Sequence, residues 1–166
     1  WHHVAVTKAG NAVTFYLDGV SDGSGSTGLI PQTLTLTSIG AGLMNNILQG
    51  YSEVTFDELR IWNVARSQPQ LQGNMNCQLT PQAGLVAMYN FNQGTADGSN
   101  PGTTTLLDGS GNSYDGTLSG FALSGTTSNW TRSYAMGATY IFRSTTSGSW
   151  SNTATWQTLT ACGWIP

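Results

Sequence analysis

Two short runs of strict alternation limit what this chain can become. In residues 2–8 (HHVAVTK), Val4 and Val6 fall on one side of an extended backbone. In residues 12–18 (AVTFYLD), Val13, Phe15 and Leu17 do the same. A period of two marks a strand with one apolar face, and Ala9-Gly10-Asn11 between the runs supplies a turn. The pair reads as a β-hairpin, closed at its far end by Asp18-Gly19. Residues 53–63 (EVTFDELRIWN) repeat the pattern as the strongest strand, with Val54, Phe56, Glu58, Arg60 and Trp62 on one face and Thr55, Asp57, Leu59 and Ile61 on the other.

The remaining punctuation fits the same class. Residues 33–39 (TLTLTSI) and 85–91 (LVAMYNF) read as strands, as do 139–143. Leu106-Leu107 and Tyr114 to Leu118 flank a turn over 108–112. Residues 21–28, 40–50 and 92–105 read as loops or flexible stretches, and Ser, Thr and Gly surround Trp150 and Trp156. One short helix is expected. Ser67 is a good N-cap, Gln70 stands three residues on, Pro69 is tolerated in a first turn, and Leu71 and Met75 share a face. Nothing alternates strands with long helices, which disfavours a parallel α/β fold.

Composition narrows function. Charged residues make up 8 % of the 166, against roughly a quarter in an average soluble domain. Five Lys and Arg scattered along the chain, with a net charge of −3, do not make a phosphate-binding surface, so no nucleic-acid partner is expected. No apolar run approaches the ~20 residues of a membrane span. The chain opens at Trp1 and ends at Pro166, and we expect it to be part of a longer, secreted protein acting outside the cell or at its surface. Cys77 and Cys162 match no zinc-site spacing, and the reading favours two separate thiols over a disulfide.

Two longer stretches carry a resemblance. Residues 1–19 (WHHVAVTKAGNAVTFYLDG) and 50–75 (GYSEVTFDELRIWNVARSQPQLQGNM) resemble, in the right order, two motifs of laminin-G-like and pentraxin-like domains. The resemblance implies an all-β fold: an antiparallel β-sandwich of the concanavalin A-like jelly-roll kind, N-terminally truncated, with one short helix. It implies that residues 1–76 are the second half of such a sandwich and that 77–133 form a β-hairpin extension packing on or continuing it. Residues 84–130 resemble a segment that flanks such domains in secreted bacterial proteins. Residues 134–166 are expected to be a linker and the start of another β-rich module. If the extension completes the sandwich, Tyr89 and Phe91 should contact Val4, Phe15 or Ile61.

The function implied is a non-catalytic binding or adhesion module for a polysaccharide, a cell-surface glycan or another surface partner. A structural spacer is the alternative, and a glycoside hydrolase fragment is less favoured. The resemblance places a pentraxin-type calcium site in the loop over 40–46, which has no carboxylate. Asp108, Asn112 and Asp115 are the remaining calcium candidates, though Asp and Asn beside Gly also stabilise turns. Glu53 and Asp57 share a strand face at about 13 Å, with Thr55 between them. Glycoside hydrolysis needs its carboxylates within roughly 5–9.5 Å. Asp57 and Glu58 should face opposite ways, as should His2 and His3, so neither pair should form one site. Tyr16, Tyr51 and Tyr114, and to a lesser degree Trp62, are candidate sugar-stacking rings, while Trp1, Phe56 and Trp62 are expected chiefly to fill the sandwich.

Overall fold

A computed structural model describes residues 1–28, 38–45, 47–135, 141–144, 146, 156–160 and 163–165. Among these, every strand pairing is antiparallel, and one short helix is present. This is the all-β class expected from the alternation.

The N-terminal hairpin forms as its period dictates. Strands β1 (Val4–Ala9) and β2 (Ala12–Leu17) pair from Ala9↔Ala12 to Val4↔Leu17, with Gly10 at φ +57° in the two-residue turn. That turn position requires positive φ, which glycine takes without steric cost. Residues 21–28 depart from the sequence reading, since Val20–Ser26 is a third strand, β3, paired with β2. Ladder pairing uses only backbone groups, so a Ser/Gly run can extend a sheet without an apolar face. A bulge at Phe15/Tyr16 absorbs the extra residue, and Gly23 sits beside it at φ +141°. Val4↔Leu17 and Val6↔Phe15 share the apolar face, which is open: Val4 is 74 % exposed and Phe15 49 %.

The loop over 40–50 contains a small hairpin, β4 (Gly42–Met44) with β5 (Ile47–Gln49). The long strand expected over 53–63 is cut short. Among the described residues, 51–57 carry no strand pairing, although the Ser52 N–H donates to the Gly40 carbonyl at 2.8 Å, and the ladder with the next strand is formed by Leu59–Trp62 (β6). The break falls at Glu58, whose φ is +50°, a left-handed conformation costing a non-glycine residue about 1–2 kcal/mol. Of the strand expected over 33–39, residues 33–37 lie outside the described residues.

Helix α1 (Gln68–Asn74) begins at Ser67, whose N–H is accepted by Gln70 Oε1 at 3.0 Å, one arm of the expected capping box. It docks on the hairpin through Gln68 and Gln72, both donating to the Gly19 carbonyl at 3.0 Å. Strand β7 (Leu85–Tyr89) then returns beside β6, with Leu59↔Tyr89 and Ile61↔Ala87. Those four side chains join the core, built from Ala87, Tyr89, Leu106, Leu123 and Trp130, with Ile39, Leu59, Ile61, Phe91 and Leu118 against it. Tyr89 and Phe91 thus share a cluster with Ile61, while Val4 and Phe15 stay outside it. Strands β8 (Thr105–Leu106) and β9 (Gly116–Thr117) pair across the 108–115 loop. Strands β10 (Ile141–Ser144), β11 (Trp156–Thr160) and β12 (Gly163–Ile165) form a further three-stranded sheet.

Cys77 corrects the thiol expectation. It is 2 % exposed and disulfide-bonded, and no described cysteine is free. Cys162, the other cysteine of the sequence, lies outside the described residues. Neither residue has neighbouring cysteines in sequence, so spacing could not reveal the bond.

Candidate functional site

The local register sets up a cleft at the open end of the hairpin. Continuing β1–β2 by one pair puts His3 opposite Asp18. The Asp18 N–H donates to the His3 carbonyl at 2.7 Å, and the His3 N–H returns to Asp18 Oδ1 at 2.9 Å. His2 Nδ1 meets Asp18 Oδ2 at 2.9 Å. These contacts hold the Asp18 carboxyl below the usual carboxylate range, the His2 hydrogen bond contributing most and the His3 N–H next.

Across from this corner, Asp57, Glu58 and Arg60 enter the same cleft with Trp1, His3, Met75, Asn76 and Ala135, around a volume of about 260 Å³. This overturns the expectation that Asp57 and Glu58 face apart. The opposite-face rule holds only for regular extended backbone, and the left-handed φ of Glu58 breaks it at that residue. Three carboxylates therefore share one cleft, where the sequence reading had them dispersed.

Each carboxylate has a protein partner. Asp57 Oδ2 accepts from the Ser133 hydroxyl. Glu58 takes the Arg60 guanidinium at 3.1 Å and the Gln78 amide at 3.3 Å. The Glu58 and Arg60 side chains are only 8 % and 9 % exposed. Burial pushes the Glu58 carboxyl above its ordinary value despite the Arg60 charge. Arg60 also donates to the carbonyls of Asn74, at 2.7 Å, and Cys77, at the C-terminal end of α1. The helix carries no basic residue in its last turn, so a strand residue supplies the cation its carbonyls favour. Burial, together with the Arg60 charge, holds His3 below the usual imidazole range, although Asp18 pulls the other way. Two wall atoms, His3 Nδ1 and Arg60 Nε, are buried without a partner among the described residues.

Trp1, expected in the interior, is 54 % exposed at the cleft edge. Trp62 is half-buried beneath the Arg66 guanidinium, 4.2 Å from the ring centroid. Tyr16 is half-buried in β2, and Tyr51 and Tyr114 are exposed away from the cleft. By sequence, Asp18 is only a turn residue beside Gly19. The signal that could have found it was the hairpin register, since a two-residue turn at Gly10-Asn11 places residue 3 opposite residue 18.

The loop over 108–115 has a different construction. Asp108 Oδ1 accepts the N–H groups of Met88 and Ser110, at 2.9 and 2.8 Å. Its Oδ2 accepts from the Ser110 hydroxyl and the Tyr114 N–H, at 2.7 and 3.0 Å. Asp115 Oδ1 accepts the Asp108 N–H at 2.8 Å, and the Asn112 amide nitrogen donates to the Leu85 and Val86 carbonyls, at 3.0 and 2.9 Å. Both Asp108 oxygens and Asp115 Oδ1 thus already accept hydrogen bonds within the loop, and Asn112 is engaged through its amide nitrogen. Among the described residues, no group of three or more His, Cys, Asp or Glu side chains is placed to hold a metal ion.

Asp108 instead ties the loop to β7. Burial would raise its pKa, but the hydrogen bonds from Met88, Ser110 and Tyr114 outweigh that and lower it. A depressed carboxylate stabilises the fold above its unfolded value near 3.9, and this is lost as pH falls through the lower folded value. Asp108→Ala is expected to cost about 2–3 kcal/mol at pH 7 and to shrink the loss of stability between about pH 4 and pH 2. Urea unfolding at pH 7, 4 and 2 measures both effects; equal acid loss in parent and variant contradicts the assignment.

With the geometry set, comparison with known proteins places part of the chain. Residues 1–72 match the family model of the concanavalin A-like lectin/glucanases superfamily, of the laminin-G type. No curated protein matches the chain. One similar solved structure is a Bacteroides ovatus protein provisionally described as carbohydrate-binding. It is 24 % identical with a TM-score of 0.48, over 71 % of this chain and 36 % of that one. The present chain therefore spans about a third of that structure's length.

Proposed function

We propose that this chain is a non-catalytic glycan-binding module of an exported protein, and that its ligand occupies the cleft of Trp1, Asp18, Asp57 and Glu58. The observation that carries this reading is the pairing of an exposed indole with converging carboxylates in one concave site. An aromatic face suits the apolar face of a pyranose, and carboxylates accept hydrogen bonds from its hydroxyls. The two unpartnered wall atoms are further groups that a hydroxyl-bearing ligand or bound water could satisfy. The superfamily match over residues 1–72, which includes lectins, supports the same reading.

The test is a glycan array probed with the 166-residue chain, with and without calcium. Binding to one or more neutral polysaccharides is expected. Trp1→Ala and Asp57→Ala should each weaken it by about tenfold, the scale of one lost stacking or charge-assisted contact. No binding in either condition, from a folded sample, supports the structural spacer instead.

One observation favours a second reading, hydrolysis. A carboxyl of raised pKa beside another carboxylate is the arrangement of glycosidase acid–base pairs. Against it, Glu58 is held by Arg60 and Gln78, and Asp57 by Ser133. Incubation with the bound polysaccharide should release no reducing ends. Release that Glu58→Gln abolishes would establish the hydrolase.

A further inference from the structure

Trp1 borders two depressions at once. Beside the acidic cleft lies a shallower, open groove of about 490 Å³, lined by Trp1, Val54, Thr55, Thr131 and Arg132. The same two backbone segments build both. Residues 51–57 supply Val54 and Thr55 to the groove and Asp57 to the cleft, while residues 131–135 supply Thr131 and Arg132 to the groove and Ala135 to the cleft. The Ser133 hydroxyl bonded to Asp57 joins the two segments. The buried Trp130, whose carbonyl accepts the Asp97 N–H, and the Thr131 hydroxyl bonded to Asp97 Oδ1 anchor the outer segment. The two depressions thus share the exposed Trp1 indole and are built from the same two segments.

We infer that the groove is a second sugar subsite, continuous with the cleft, so that the ligand is an oligosaccharide of at least two units. This rests on the glycan reading of the cleft. The groove has the equipment of such a subsite: an indole wall, an exposed valine, two threonines and one guanidinium. The cleft side accepts hydrogen bonds from hydroxyls, whereas Arg132 donates to them or to ring and linking oxygens. A polymer crossing Trp1 would meet acceptors on one side and a donor on the other.

Isothermal titration of the 166-residue chain with ladders of cello-, laminari- and chito-oligosaccharides, from one to six units, tests the inference. In the ladder that binds, Kd should fall by about tenfold or more between one and three units. In the Thr55→Val, Arg132→Ala double variant, the same ratio should shrink to about threefold or less. Val54 methyl resonances give a check that needs no variant, since they should shift with the trisaccharide and stay in place with the monosaccharide. Affinity independent of chain length, with Val54 unmoved, overturns the second subsite and leaves the cleft reading intact. No binding by any member of the three ladders removes both.

Discussion

Arg60→Ala is expected to lower the free energy of unfolding by about 3–5 kcal/mol, the range for removing one partner of a buried ion pair. Glu58 would keep a carboxylate that is 8 % exposed and lose its cation, and the carbonyls of Asn74 and Cys77 would lose their donor. The damage should concentrate where strand, helix end and cleft meet. Arg60→Lys should recover only part of the loss, because an ammonium cannot reproduce the fork reaching Glu58 and two carbonyls. Replacing both charges, with Glu58→Gln and Arg60→Met, should cost less than Arg60→Ala alone, since no unpaired buried charge remains. Urea unfolding at pH 7 measures all three. A loss under about 1 kcal/mol for Arg60→Ala would mean the pair behaves like an exposed surface bridge, and the account of the cleft wall would fall.

Trp130→Ala should be comparably severe, at about 3–5 kcal/mol. Trp130 is 8 % exposed, packs with Ala87, Tyr89, Leu106 and Leu123, and lies 6.5 Å from Phe91 between ring centroids. It also fixes the loop beside it. A Cβ added at Gly94 would stand 2.7 Å from Trp130 Cδ1 and 2.7 Å from Asn100 Oδ1, at a φ of +70° that side chains rarely adopt. Gly94→Ala should therefore destabilise through the same contact from the opposite side. Asn100, 5 % exposed, completes the knot through Thr95 and Asn129. Thermal unfolding and the near-ultraviolet dichroism of the indoles read both variants. A Trp130→Ala chain with parental stability would show that the 94–131 loops are held by something other than this ring.

The hairpin was legible because its cause is local. Alternation fixes which side chains share a face, a Gly-Asn turn fixes the register, and the register alone would have delivered Asp18 opposite His3. The helix was legible for the same reason, as Ser67 and Gln70 act within one turn. Strand β3 was not, because Ser and Gly carry no period and its pairing rests on the open edge of β2. The strand expected over 53–63 is broken at Glu58 and keeps only Leu59–Trp62, and no pattern of side chains announces that Glu58 takes a left-handed φ.

By itself, the sequence determined the antiparallel β class, the first hairpin and the capped helix, since each follows from spacing within a dozen or so residues. Only the tertiary structure decided that Asp18, Asp57 and Glu58 share a cleft, that Trp1 stands at its edge, and that Arg60 closes the end of a helix. Those outcomes depend on how distant segments meet around a backbone kink. Side-chain periodicity encodes faces, whereas convergence of faces is set by the path between them.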